Sequence, residues 1–293
     1  MSKPKNHHYI PQSYQELFSS LESGKLFFYD KDSERIIGPA FPRNFCAENH
    51  LYSLTENASK EVEDTTSIEN PILSTVDGEF VAEVKKLISD TTDKHDVSLF
   101  KIARFLGFLP NRHPSLISEY EKKLNQSLMT FILDYARSNP KPIKVAKYLG
   151  IDLDDSKAFE MLYFSESRNF SLLQMIDAAQ DVAEAIHDKM QWKFIYATSG
   201  EFILSDNPFV VLDSRELLGE VFDGSDRFHI YIPLSKELCV ALSSDQGRNS
   251  GEFIDSAKVD LINNKVYCRA LKWIIGSSER SLSNVIEYNN RVN

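Results

Sequence analysis

The spacing of the apolar residues changes along the chain, and this change constrains the fold more than any other feature. Between about residues 68 and 190 apolar residues recur every three or four positions, as in the segment 99–106, which is typical of amphipathic helices. After residue 190 they alternate, as in the segment 192–196, which predicts half-buried strands. We therefore predict an α+β protein in which a central helical layer precedes a C-terminal mixed or antiparallel sheet.

Local sequence also predicts where two helices begin. Ser13 and Glu16 have the spacing of a capping box, which predicts a first helix that starts at this serine and ends at Gly24. Ser171 and Gln174 repeat the same spacing and predict a second helix start inside the helical region. Both boxes are followed by apolar residues at helical spacing, so each predicted helix has a face that can pack on a core.

Strand signals flank the helical region on both sides. The apolar run in residues 25–30 is followed by a polar turn and by Ile36-Ile37, which predicts an N-terminal strand pair. Near the end of the chain we predict a helix at about 253–264 and a final strand at about 270–275. Because no internal repeat or low-complexity tract separates these parts, residues 1–293 are predicted to form a single compact domain that contains the helical region.

Composition narrows the classes of partner. Hydrophobic residues make up 42% of the chain and charged residues 26%, and no apolar run reaches the roughly 20 residues of a membrane-spanning helix. No apolar segment follows the charged residues at the amino terminus, so we expect a cytoplasmic protein without a membrane partner. The net charge of −10 weakens general nucleic-acid binding but allows a local basic channel. The three cysteines of the chain are far apart in the sequence, which fits reduced thiols.

Two adjacent histidines, His7 and His8, lie just before the first predicted helix. Pro11 favours extended backbone at Ile10, and Gln12 adds an amide at the same junction. Several hydrogen-bonding or metal-binding groups therefore meet on backbone that the helix can hold in place. Two plainer interpretations stay open: the histidines hydrogen-bond to backbone and only stabilise the fold, or they belong to a frayed chain end.

Short motifs are spread over nearly the whole chain, and the most specific are HHYIPQ at residues 7–12 and SDNP at residues 205–208. With these motifs the chain resembles a bacterial family catalogued as domain of unknown function 4238. Gln15 stands where many relatives carry an apolar residue, and His113 stands where a threonine is common. The resemblance implies no established reaction. Further matching motifs are Phe28-Tyr29-Asp30, Glu48 to Tyr52, Ile68-Glu69, Arg112-His113-Pro114 and Pro233-Leu234-Ser235.

The SDNP motif lies between two predicted strand segments, 202–204 and 209–212. At that position Asp206 could project into a site at the end of a strand, although Asp-Asn-Pro is also strong turn chemistry. Glu69 stands at the entry to the helical region, where an acid can simply favour a helix N-terminus. If these acids converge with the histidine pair, they supply nitrogen and oxygen ligands for a divalent metal, Mg, Mn or Zn.

A metal bound by such a set would activate water and polarise a phosphoryl group. The predicted function is therefore a metal-dependent hydrolase that acts on a phosphodiester, a nucleotide or a nucleic acid. The alternative is a non-catalytic ligand-binding sensor or effector in stress or phage defence. The candidate catalytic residues are His7, His8, Glu69 and Asp206, the candidate substrate-binding residues are Gln12, Arg112 and Asn207, and the candidate metal ligands are His7, His8 and Asp206.

Two other patterns give weaker hypotheses. Arg43 and His50 have the spacing of helical ribonuclease motifs, but Pro42 and the loop-like surroundings make the match poor. The His-His-x-x-Pro start is similar to the first strand of a histidine-asparagine-histidine nuclease finger, whose later asparagine and histidine have no matching helix here. Arg112 has a plain alternative as well, because a surface arginine more often pairs with an acid than binds a substrate.

Overall fold

The fold is α+β, as the sequence predicted. The computed structural model describes residues 6–53, 72–89, 96–119, 156–213, 228–244 and 249–292. The described N-terminal part contains β1 (Asn6–His8), α1 (Gln12–Glu16), β2 (Leu26–Asp30), β3 (Arg35–Ala40), a 3-10 helix (Pro42–Asn44), β4 (Ala47–Asn49), α2 (Ser74–Ile88) and α3 (Leu99–Asn111).

The described C-terminal part begins with a long helix and is then dominated by strands. It contains α4 (Ser156–Lys189), β5 (Gln191–Ala197), β6 (Leu204–Ser205), β7 (Val210–Asp213), β8 (Phe228–Pro233), β9 (Leu238–Ser243), β10 (Ser250–Ile254), α5 (Ser256–Arg269), β11 (Trp273–Gly276) and α6 (Glu279–Val292). The predicted helical region and the predicted strands after residue 190 are therefore confirmed where the structure describes them.

The described strands form three sheets. A five-stranded sheet has the order β10-β5-β9-β8-β7, with β10 parallel to β5 and the other pairs antiparallel. A four-stranded antiparallel sheet has the order β3-β2-β11-β6 and so joins the N-terminal strand pair to strands from the end of the chain. A two-stranded antiparallel sheet pairs β1 with β4, so that His7 lies opposite Glu48.

Both predicted capping boxes are wrong. The first helix begins at Gln12, after Pro11 in extended geometry, and no side chain of the described residues caps it; it ends at Glu16 and not at Gly24. Ser171 is buried inside the continuous helix α4 and starts no new helix. Packing decides both cases, since tertiary burial of an apolar helix face contributes more than one local cap of about 1 kcal/mol.

The C-terminal predictions need two further corrections. The predicted helix at 253–264 starts later, because residues up to Ile254 pair with β5, and the side chain of Asp255 then caps α5 by accepting a hydrogen bond from the Lys258 N–H at 3.1 Å. The predicted final strand is confirmed as β11, but it is followed by helix α6, which the sequence interpretation missed.

Aromatic rings join the first helix to the helical layer and to the large sheet. The ring of Phe80 on α2 stacks on Phe105 of α3 with 3.7 Å between ring centroids, and Tyr14 of α1 meets both rings edge-on. The Tyr14 hydroxyl donates a hydrogen bond to the carbonyl of Pro233 at the end of β8. These contacts hold α1 beside α2 and the middle of α3.

Candidate functional site

A cavity of about 390 Å³ opens where the N-terminal segment meets the helical layer. One wall comes from residues 8–13, at the end of β1 and the start of α1, and a second comes from the first turns of α2. Arg112, at the C-terminal end of α3, contributes a charged group. The volume is in the range of small-molecule sites, and polar and apolar groups both face it. The lining residues are His8, Pro11, Gln12, Ser13, Tyr52, Leu73, Ser74, Asp77, Gly78 and Arg112.

Arg112 is the buried charge of this cavity, with only 1% of the residue exposed. Its guanidinium lies over the rings of Phe105 and Phe108, with 5.7 and 5.8 Å from the central carbon to the ring centroids. Its backbone carbonyl accepts a hydrogen bond from the Tyr52 hydroxyl at 3.1 Å. A cation so far removed from water needs compensation, which the ring faces and the negative end of α3 supply in part.

Asp77, in the first turn of α2, is the acid next to this arginine. Its Oδ1 lies 2.6 Å from Nη2 of Arg112, so the two residues form an ion pair. The contact is close but poorly directed, because neither Oδ1 nor Nη2 has a partner with hydrogen-bond geometry among the described residues. Nε of Arg112 is also buried without a hydrogen-bond partner in that part of the chain. The charge is therefore neutralised while hydrogen-bonding capacity is left unused.

His8 and Gln12 face the same cavity and lie side by side. Nδ1 of His8 is 3.4 Å from Nε2 of Gln12, four residues further along the chain. His8 is the last residue of β1, and Gln12 is the first residue of α1. Together with Arg112, three residues that the sequence singled out therefore line one cavity.

His7 points away from that group and into the fold. It is fully buried, and its Nδ1 accepts a hydrogen bond from the backbone N–H of Tyr52 at 2.9 Å. Its ring stacks on the Tyr52 ring with 5.7 Å between centroids. The Tyr52 hydroxyl also lies 3.3 Å from the His8 carbonyl, so Tyr52 ties β1 to the end of α3. The geometry matches the interpretation of His7 as a structural histidine.

Asp206 is also bonded to backbone. Its Oδ1 accepts from the N–H of Leu271 at 2.8 Å, and its Oδ2 accepts from the N–H groups of Lys272 and Trp273 at 2.7 and 3.0 Å. It is 3% exposed and does not line the cavity. Asn207 next to it donates to the carbonyl of Arg269 at 3.3 Å. The carboxylate thus organises the connection between α5 and β11.

The HHYIPQ and SDNP motifs approach each other at Tyr9. Burial raises the pKa of the Tyr9 hydroxyl, and the nearby Cys46, Asp206 and Glu48 raise it further. Burial lowers the pKa of His113, and the charges of Asp206 and Glu48 oppose that shift. The Tyr9 and His113 rings meet edge-on at 5.0 Å between centroids. Asp206 therefore acts electrostatically on the residue that follows the histidine pair.

The predicted metal centre gains no support from this arrangement. In the ranges that the structure describes, no group of three or more histidine, cysteine, aspartate or glutamate side chains could hold a metal ion. Glu69, the fourth candidate catalytic residue, lies outside the described residues. The catalytic and metal-binding roles of His7, His8, Glu69 and Asp206 stay predictions.

Several residues of the cavity were missed by the sequence interpretation. Asp77, Gly78 and Ser74 lie in an ordinary amphipathic helix, where an acid in the first turn is common and carries no functional signal. Tyr52 falls in one of the motifs that resemble the family, and this was its one sequence signal. Gln15 is fully buried and donates from Nε2 to the carbonyl of Ile10 at 2.7 Å, so it holds the turn that leads into α1.

Fold and site together define an α+β protein with a polar cavity between its N-terminal segment and its helical layer. The chain belongs to the family described as "Protein of unknown function (DUF4238)", whose sequence model matches residues 6–280. No curated protein and no solved structure matches it significantly. Within the described segments, none of the helices combines the length and the apolar character needed to cross a membrane.

Proposed function

We propose that this protein binds a small polar ligand in the cavity beside Arg112 and acts as a ligand-binding sensor or effector. The observation that carries the proposal is the buried guanidinium of Arg112, which lines a cavity of about 390 Å³ and has an Nε without a hydrogen-bond partner among the described residues. A buried donor left without an acceptor costs about 1–3 kcal/mol. A ligand that supplies the acceptor removes this cost.

The rest of the lining supports a binding role. His8, Gln12, Ser13 and Ser74 bring donors and acceptors, while Pro11, Leu73 and the Tyr52 ring bring apolar surface. Such a mixture gives a ligand both buried area and orientation. The wall is also rigid, because the packing of Tyr14 on Phe80 and Phe105 fixes α1 against the helical layer. A cytoplasmic location is part of the same proposal.

Gly78 offers a direct test, because a Cβ at this position would meet no atom within 4 Å. Gly78→Leu should fill the cavity without disturbing α2, whereas Gly78→Ala should leave room for a ligand and stabilise the helix by about 0.5–1 kcal/mol. We would measure thermal unfolding with AMP, inorganic phosphate and succinate. A ligand at 100 times its Kd stabilises by about 2.7 kcal/mol.

The expected result is stabilisation of the parent and of Gly78→Ala by at least one of these compounds, and none in Gly78→Leu. Equal ligand effects in all three proteins would show that the ligand binds outside this cavity. If none of the compounds stabilises the parent, the proposal is contradicted for these ligand classes. Gly78→Leu must keep the unfolding cooperativity of the parent, so that loss of binding is separated from loss of structure.

Metal-dependent hydrolysis of a phosphodiester stays a prediction from the sequence. It requires activity with Mg²⁺, Mn²⁺ or Zn²⁺ on DNA, RNA or cyclic nucleotides, and loss of that activity in His8→Ala. His8 is the informative position, because it lines the cavity whereas His7 and Asp206 are engaged with backbone N–H groups. Cleavage by the parent that His8→Ala abolishes would favour the hydrolase over the sensor.

A further inference from the structure

The unused hydrogen-bonding groups of Arg112 lie on one edge of its guanidinium. Nε and Nη2 are both buried, and neither has a partner of hydrogen-bond geometry among the described residues. In arginine these two nitrogens point their N–H groups in parallel, at the spacing of two oxygens on one carboxylate or phosphoryl group. The edge that is unfilled is thus one that binds oxyanions through two parallel hydrogen bonds.

Asp77 stands at this edge but does not complete it. A single oxygen, Oδ1, approaches Nη2 at 2.6 Å, and Nε has no acceptor. The Asp77 side chain is 19% exposed, against 1% for that of Arg112, so the acid has solvent beside it while the arginine has none. The aspartate can therefore turn toward water at low cost, whereas the guanidinium is held between Phe105, Phe108 and its own helix end.

We infer that the ligand of the proposed binding site carries an oxyanion with two oxygens in one plane, a phosphoryl or carboxylate group, and that Asp77 is an internal competitor that this group displaces from Arg112. The inference rests on the proposed function and adds the ligand class and the residue that limits its affinity. Arg112 then exchanges its poorly directed contact with Asp77 for two parallel charge-assisted hydrogen bonds to the ligand.

The test compares Asp77→Asn with the parent. Removing the competing charge leaves Arg112 as the net charge of the pair, so the affinity for inorganic phosphate should rise at least about tenfold. Calorimetric titrations with phosphate, acetate and chloride at constant ionic strength distinguish a phosphoryl ligand from a carboxylate ligand. Chloride offers a single acceptor atom and cannot form two parallel hydrogen bonds, so its affinity should rise less than that of phosphate or acetate. Whichever of phosphate and acetate shows the larger gain identifies the chemical group.

Glu79→Gln is the matched control, because Glu79 lies on the same helix, pairs with Lys101 and Arg104, and does not line the cavity. It removes the same charge from α2 and should leave phosphate binding within about twofold. Arg112→Lys keeps the charge but loses the parallel edge, so it should reduce the gain if introduced together with Asp77→Asn. If that double variant does not fold, the comparison of Asp77→Asn with Glu79→Gln decides alone.

The inference would be overturned by unchanged or weaker phosphate and acetate binding in Asp77→Asn, by an equal gain in Glu79→Gln, or by an equal gain for chloride. Absence of oxyanion binding in both the parent and Asp77→Asn would overturn it as well. The proposed function fails separately, when Gly78→Leu leaves ligand binding intact. If the parent binds AMP and Asp77→Asn does not change this binding, only the oxyanion assignment is contradicted.

Discussion

His7 and Tyr52 are joined by a hydrogen bond from the Tyr52 backbone N–H to Nδ1 of the histidine and by stacking of their rings, although they are 45 residues apart in the chain. The contact fixes β1 against the segment that follows β4. It also places Tyr52 so that its hydroxyl reaches the carbonyl of Arg112. One histidine of the motif therefore supports the cavity wall, and the next one faces the cavity.

Removing the His7 ring should destabilise the protein. We expect His7→Ala to lower the free energy of unfolding by about 2–4 kcal/mol, because it leaves a buried N–H without an acceptor and removes a stacked ring. His7→Asn should lose less, since its amide oxygen can replace Nδ1 as acceptor. Urea denaturation measures both. His187→Ala, at an exposed helix position, should stay within about 0.5 kcal/mol, and a similar small loss in His7→Ala would contradict the structural role.

Asp206 should be important for stability rather than for binding. Its carboxylate accepts three backbone hydrogen bonds from residues 271–273, so Asp206→Ala should lower the free energy of unfolding by about 3 kcal/mol or more. Asn207→Ala, which removes one exposed amide contact, should cost less than about 1 kcal/mol. Thermal and urea unfolding of the two variants provide the comparison. Equal stability of Asp206→Ala and the parent would show that the three bonds are dispensable.

Glu83 predicts a response to acid. Burial raises the pKa of this carboxyl, but hydrogen bonds from the Ser98 N–H and Lys86, with the charge of Lys101, outweigh it and hold the pKa below its usual range. Because the folded pKa is lowered, its stabilising contribution is present above about pH 4.3 and is lost as the pH falls through the folded value.

Glu83→Gln should therefore lower the free energy of unfolding at neutral pH by about 1–3 kcal/mol and flatten its decline below about pH 4.3. Glu79→Gln is again the control, since Glu79 is the more exposed acid of the same helix and pairs with Lys101 and Arg104. Unfolding curves across this pH range would refute the assignment if the two variants lost stability in parallel.

His113 predicts a second pH effect at the start of the helical stretch 114–119. Its Nδ1 accepts a hydrogen bond from the Ser115 N–H at 3.2 Å, so the imidazole acts as a helix cap in its neutral form. Burial lowers its pKa, with partial opposition from the charges of Asp206 and Glu48. With a lowered folded pKa, the stabilising contribution is present above about pH 6.5 and is lost as the pH falls through the folded value.

His113→Asn should keep a cap, because asparagine is a favoured N-terminal capping residue, and should remove this titration. We expect the parent to lose more stability than the variant between about pH 7 and pH 5. Urea denaturation at several pH values measures the difference. Identical pH profiles for the two proteins would exclude His113 as the group responsible.

Those elements whose residue pattern is local could be predicted from the sequence. Alternating apolar residues predicted β5, β8 and β9, and apolar residues at helical spacing predicted α2 and α3, because side-chain direction follows backbone period. The helix α6 was missed although Leu282, Val285 and Ile286 recur at helical spacing, and this apolar face packs on the four-stranded sheet. The family could also be recognised from the sequence, because the motifs on which the resemblance was based are contiguous.

The role of each polar residue, in contrast, depends on contacts between distant segments of the fold. The sequence grouped His7, His8 and Asp206 as one set, whereas the fold gives the first and last of them backbone N–H partners 45 to 67 residues away and leaves His8 at the cavity. The fold also brings Asp77 of α2 next to Arg112 at the C-terminal end of α3. A polar side chain acquires its role from the donors and acceptors that remain near it once the backbone is packed, and distant segments supply them.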